Sequence, residues 1–357
     1  MAESFTGEYF AGVMGAEGFV SRFRNWFDPR DLKRVFYLKG GPGTGKSTLL
    51  KGLAAHARRL GLDCLTFRCS SDPHSLDGVL VPKVGFGAVD ATPPHSLECT
   101  LPGAVDELVD LGRCWDGALL RPLREEIAQL QARKAACYAN ARKYLATLRL
   151  VRLDGDGLVE EAFLTEKMAA AAQRTAVKWL PLQKGEGRVR PCFSAALTPQ
   201  GPVELIQRAL PPSTAVIQVA DKRGTGFRFL QALVREGVRR GQDGVLFYDP
   251  LFPEERPAHL WFPRARVAFV SAPWEGEVAA TVNMERFIRR EGLAPHRARL
   301  AFDRRAEGEF TRGAVQELAA AHALHGELER LYVPAMDFQA VAEEGRLLEK
   351  ILSDMAG

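Results

Sequence analysis

The chain has 357 residues, of which 46% are hydrophobic and 26% charged, and its formal net charge is +4. That length accommodates two or three ordinary domains with filled cores, and so mild a basic excess does not by itself indicate nucleic acid. The six cysteines (Cys64, Cys69, Cys99, Cys114, Cys137 and Cys192) include no Cys-x-x-Cys pair, which argues against a zinc ribbon or redox motif and fits free thiols in a reducing cytoplasm.

The opening MAESFTGEYF lacks the charged and apolar regions of a signal peptide. Nowhere does an uninterrupted apolar run approach the ~18 residues that a membrane helix needs. The expected location is therefore the cytoplasm, without a membrane partner.

The first strong signal is a strand at 34–38, then Lys39, then Gly-Gly-Pro-Gly-Thr-Gly-Lys-Ser from Gly40 to Ser47. A helix follows, with Leu49, Leu53, Ala57 and Leu60 at three- and four-residue spacing. Strand, G-x-x-x-x-G-K-S and helix in that order form the context a phosphate-binding loop requires. Glycines let successive N–H groups turn inward toward phosphate oxygens, and the helix N-terminus adds partial positive charge there. Gly41, Pro42, Gly43, Thr44, Gly45, Lys46, Ser47 and Thr48 are thus the expected nucleotide contacts. Lys46 is expected to reach the β- and γ-phosphates, and Ser47 to ligate Mg²⁺.

A second strand is expected at 64–69. Residues 70–77 read as a polar stretch of turn formers, and 84–89 as a third strand ending in Asp90. An acid in that position suits the holding of Mg²⁺ through water. Asp72, His74, Asp77 and His95 are expected in loops at the carboxyl ends of the strands, where open α/β sheets bind ligands. There Asp72 or Asp77 would position an attacking water. The competing reading of these residues is ordinary turn chemistry. No Asn/Thr-Lys-x-Asp motif is present to read guanine, which favours ATP. No transporter signature, RNP motif or zinc finger occurs either.

Farther along, the spacing from Leu119 to Leu148 predicts a long amphipathic helix. Residues 150–157 read as a turn, and about 160–180 as a second helix. Together, over about 118–180, they read as an antiparallel hairpin projecting from the first half, with Cys137, Tyr138 and Tyr144 as packing residues. Lys184 to Gly187 reads as a linker, dividing the chain into 1–187 and 188–357.

An internal repeat underlies this division. Residues 35–91 align without a gap on 216–272 at an offset of 181, placing Gly43-Thr44-Gly45 on Gly224-Thr225-Gly226. Upstream, Phe10, Gly18 and Val20 match Phe193, Gly201 and Val203. In the second copy Gly40, Pro42, Lys46 and Ser47 are replaced by Asp221, Arg223, Phe227 and Arg228, and Asp90 by Ser271. The lysine, the hydroxyl and the acid are lost together, as expected if they work together. Arg223 and Arg228 remain candidates to receive an anion or to serve the first loop. Helices at about 314–332 and 338–352 close the chain. His322 and His325, three apart, read as solvated histidines in the absence of a third ligand.

The runs GGPGTGKSTLLKGLA, CSSDPHSLDGVLVP, DATPPH, PGAVDELVDLG and ELERLYVPAMDF resemble an uncharacterised bacterial family of tandem phosphate-loop ATPase-like proteins, over nearly the whole chain. The resemblance implies nucleotide binding and a duplicated architecture. Members of that family can carry the loop in both halves, and this chain departs from them at Asp221, Phe227 and Arg228. The expected fold is α/β: two tandem phosphate-loop NTPase domains, with mostly parallel sheets flanked by helices and helical hairpin additions. The expected activity is Mg²⁺-dependent ATP hydrolysis at a single site. The alternatives are a small-molecule kinase, with the 72–77 loop and His95 binding the acceptor, or a non-catalytic ATP switch that uses the second half as a partner platform. Nucleic acid is not indicated.

Overall fold

Val35 to Leu38 are all buried, as a central strand covered on both faces requires. Around that strand the computed structural model, which describes residues 6–357, builds a six-stranded mixed sheet. The first five residues, part of the start read above as free of a signal peptide, lie outside the described residues. The strands are β1 (Gly7–Tyr9), β2 (Arg34–Lys39), β3 (Leu65–Arg68), β4 (Leu76–Val81), β5 (Phe86–Asp90) and β6 (Asp106–Asp110), in the spatial order 1-3-4-5-2-6.

A second sheet repeats the order. Its strands are β7 (Val189–Cys192), β8 (Ala215–Ala220), β9 (Gly244–Tyr248), β10 (Pro257–Phe262), β11 (Val267–Val270) and β12 (Ala280–Asn283), ordered 7-9-10-11-8-12. The registers repeat too. Val35 pairs with Gly87 and Val216 with Ala268, which preserves the offset of 181 (268 less 87). Beyond β5 the offset becomes 173: Phe36 pairs with Glu107, and Ile217 with Ala280 (280 less 107). The second copy is therefore eight residues shorter between its last two strands.

Both sheets are less parallel than expected, because β4 and β10 each oppose their neighbours. Strand β4 replaces the end of the expected polar stretch, and the expected third strand begins only at Phe86. Asp77 and Gly78 break the apolar pattern of Leu76 to Val81, yet the whole strand is buried.

The helices correct the sequence reading further. Helix α1 (Lys46–Arg59) follows the first glycine-rich loop, and α2 runs unbroken from Arg124 to Glu160, so the turn expected at 150–157 does not form. Gly155 and Gly157 each cost a helix about 1 kcal/mol, but tertiary contacts hold that stretch. Arg299 meets Asp154, and Asp156 meets Arg256. Arg152 bonds Asp249 at 2.9 Å.

Helix α3 (Thr165–Trp179) does not fold back along α2. It packs on α4 (Gly226–Arg239), the helix after the second loop. Its Met168, Ala171, Ala172 and Ala176 enter the second sheet's core beside Phe229 and Leu230. Reciprocally, α5 runs from Arg297 to Tyr332, beginning well before the expected 314, and lies along α2. It leads to α6 (Phe338–Ala356), which packs on α1. There Val341, Leu348 and Leu352 complete the first sheet's core. The halves thus exchange their last helices. Between the sheets a shared core joins Tyr9 to Phe247, ring centroids 5.3 Å apart, and a bridge pairs Phe10 with Phe193. No helix among the described residues is long and apolar enough to cross a membrane.

Candidate functional site

The 40–47 loop leaves the carboxyl end of β2 and enters α1 through two left-handed residues, Gly43 (φ 70°) and Gly45 (φ 83°). Side chains other than glycine rarely adopt that region, so the curl depends on these positions. Lys46 Nζ bends back to donate to Gly40 O at 2.6 Å and Gly41 O at 3.0 Å, and stands 3.7 Å from Asp90 Oδ2. Asp90 comes this close because β5 lies directly beside β2, with Leu38 opposite Asp90. Its Oδ1 accepts the Thr92 N–H at 2.8 Å, leaving Oδ2 toward Lys46. Ser47 Oγ accepts the Leu76 N–H at 3.0 Å and so ties the helix start to β4. Thr44 is buried, with its hydroxyl on Gly41 O, and Thr48 is exposed.

One residue beyond Leu76, Asp77 is buried within β4 rather than in a loop. Burial pushes its carboxyl up to about 6, against the pull of the neighbouring His95. His95 Nε2 stands 3.5 Å from Asp77 Oδ2. Its ring meets Phe19 and Phe23 edge-on, at centroid distances of 5.2 and 4.7 Å. Lys46, Ser47, Asp77, Asp90 and His95 are therefore brought together at one end of the sheet.

Asp72 serves its own turn, accepting from His74 N and Ser75 Oγ, and His74 is exposed. Tyr138 donates to Ser71 Oγ, whereas Tyr144 is 37% exposed and lies against Gly313. His322 is exposed as expected, but His325 is half-buried. Burial first, then the charges of Lys134, His322 and Lys46, lower His325 to about 4.

The sequence reading did not anticipate the roof. The end of α5 and the start of α6, both from the second half, cover the loop. Gly41 lies against Trp115 and Tyr332, Gly43 against Val333 and the Glu329 backbone, and Gly45 against Val341 and Phe338.

The 221–228 loop has collapsed on itself. Asp221 Oδ2 accepts the Gly226 N–H at 2.6 Å, while Oδ1 takes Arg223 N and the Thr225 hydroxyl. The carboxylate is an internal anion at a helix N-terminus, where negative charge is favoured. Gly224 keeps its left-handed φ of 73°, but Gly226 has joined the helix. Arg223 is engaged by Glu285. Arg228 pairs with Glu160 and stacks on Phe163 and Phe227. Neither arginine is left to serve the first loop.

Among known proteins, residues 20–79 match the family described as Nephrocystin 3, N-terminal. The matched stretch contains β2, the 40–47 loop, α1 and β3, and is less than half of the chain. No curated protein and no solved structure matches it significantly.

Proposed function

We propose that the first half binds a nucleoside triphosphate with Mg²⁺ at the 40–47 loop, ATP in preference to GTP, and hydrolyses it. The observation that carries this reading is the placement of Lys46 Nζ at the loop mouth, 3.7 Å from Asp90 Oδ2, in a strand–loop–helix with the complete G-x-x-x-x-G-K-S pattern. The Lys46 ammonium would exchange the Gly40 and Gly41 carbonyls for phosphate oxygens. Inward loop N–H groups and the start of α1 would receive the remaining negative charge.

The Ser47 hydroxyl and Asp90 carboxylate are hard oxygen donors of the kind Mg²⁺ takes. Mg²⁺ there would neutralise charge on the outer phosphates. Asp77 and His95, beside Asp90, are better placed than Asp72 to orient water. The collapsed 221–228 loop supports a single site.

The test is ATP and GTP binding and phosphate release by wild type, Lys46→Ala and Asp90→Asn. The expected result is ATP turnover that falls at least a hundredfold in both variants, with binding lost in Lys46→Ala. Unchanged binding in Lys46→Ala overturns the reading. The roof over Gly43 favours a second reading, a nucleotide switch that does not turn over. Tight ATP binding by wild type without phosphate release would select it.

A further inference from the structure

Asp77, Asp90 and His95 form a cluster whose ligand-capable atoms all lie within 4.8 Å of one another, the one such group among the described residues. Two features set it apart from an ordinary acidic patch. The side chains of Asp77 and His95 are only 7% and 9% exposed. Yet among the described residues Asp77 Oδ2, the atom that faces His95 Nε2, has no hydrogen-bond partner. Buried polar atoms left unpaired cost on the order of 1–3 kcal/mol each, so natural structures keep them where something else satisfies them.

The spacing is informative. Two donors each ~2.1 Å from one tetrahedral ion stand about 3.4 Å apart, close to the 3.5 Å between His95 Nε2 and Asp77 Oδ2. The Phe19 and Phe23 rings both meet the imidazole edge-on and restrict its movement. The second half supplies a comparison. At the offset of 181, Ala258 stands for Asp77 and Ser271 for Asp90. The eight-residue shortening falls in the connection that carries His95, and no histidine stands in its counterpart at 271–279. All three donors are absent from the half whose loop has collapsed.

We propose that Asp77, Asp90 and His95 hold a first-row transition-metal dication, such as Mn²⁺, Co²⁺ or Zn²⁺, beside Lys46. One imidazole and two carboxylates suit these ions, whereas Mg²⁺ prefers oxygen alone and dehydrates reluctantly. The site stands apart from the nucleotide reading, except that Asp90 serves both. With nucleotide present, Asp90 would bridge two ions, an arrangement that two-metal phosphoryl sites use.

The test uses metal-free full-length protein without nucleotide. Co²⁺ is titrated and followed by its ligand-field absorption, and Mn²⁺ is followed by electron paramagnetic resonance. Wild type is expected to take up one ion per chain. Asp77→Asn and His95→Gln should weaken it at least tenfold, while His322→Gln, at an exposed imidazole elsewhere, keeps it. Pulsed resonance of the Mn²⁺-loaded wild type should detect one coupled imidazole nitrogen, a readout that does not depend on any variant folding. Absence of uptake by wild type, no nitrogen coupling, or unchanged affinity in a folded His95→Gln protein each overturns the proposal. Because no nucleotide is present, failure here leaves the ATP reading standing, and failure of ATP binding leaves this one standing.

Discussion

Trp115 pairs with Met336 through a single antiparallel bridge, and Phe163 pairs with Ile288 in the same way, with Ile288 lying 173 residues beyond Trp115. These two bridges mark where each half hands its last helix to the other. Residues 1–187 therefore contain α3, which belongs to the second core, and lack α6, which belongs to their own. Expressed alone, they should give no folded monomer by circular dichroism and sedimentation. Within the full chain, Leu348→Ala and Leu352→Ala empty buried positions under α1 and should each cost about 2–4 kcal/mol in urea denaturation. A stable monomeric 1–187 would contradict the exchange.

Gly43→Ala tests the loop and its roof together. Its φ of 70° costs an L-residue about 1–2 kcal/mol, and the new methyl would stand 2.9 Å from Val333 Cγ2. We expect lower thermal stability and ATP affinity reduced at least tenfold by calorimetry. Adding Val333→Ala should recover the steric part and leave the backbone part. Full recovery in the double variant would assign the whole effect to the roof.

Asp221→Ala removes the internal anion of the second loop and frees the Gly226 N–H. The loss of this cap-like contact should cost about 1 kcal/mol. Sulfate should then raise the melting temperature of the variant more than that of wild type, because the helix N-terminus regains an anion. Equal sulfate responses would show that the carboxylate does not fill that place.

Asp77 gives the protein a pH signature. Its carboxyl is raised from 3.8 to about 6, chiefly by burial. Below about pH 4 the group is protonated in both states and costs nothing. As pH rises from about 4 to 6 the unfolded chain ionises first, so stability falls by on the order of 3 kcal/mol and stays lower above that window. Urea denaturation of metal-free protein between pH 4 and 7 should show that fall in wild type and not in Asp77→Asn. An equal fall in the variant would place it on another group.

Much of the architecture is legible in the amino-acid sequence alone. The glycines and Lys46 announce their loop because few other arrangements need that spacing, and the offset of 181 survives in the strand registers. Strand β4 is hidden because Asp77 interrupts its apolar run, and a buried acid only makes sense once His95 and Asp90 are seen beside it. Gly155 and Gly157 suggest a turn because local propensity cannot register the ion pairs that keep α2 unbroken. Periodicity identifies the faces of α3 and α6 but does not say which core receives them. The charge of Asp221 is readable, but not that its own loop would bind it.

The exchange of α3 and α6 separates two kinds of inheritance within one chain. The 221–228 loop carries Asp, Phe and Arg where the first loop has Gly, Lys and Ser, and its one tie to the other half among the described residues is Arg228 on Glu160 and Phe163. Glu329, Val333, Phe338 and Val341 are held more tightly, since they stand over glycines belonging to the other copy. The second half is thus a fixed cover for the first loop, and its last helix should be the slowest part of it to diverge.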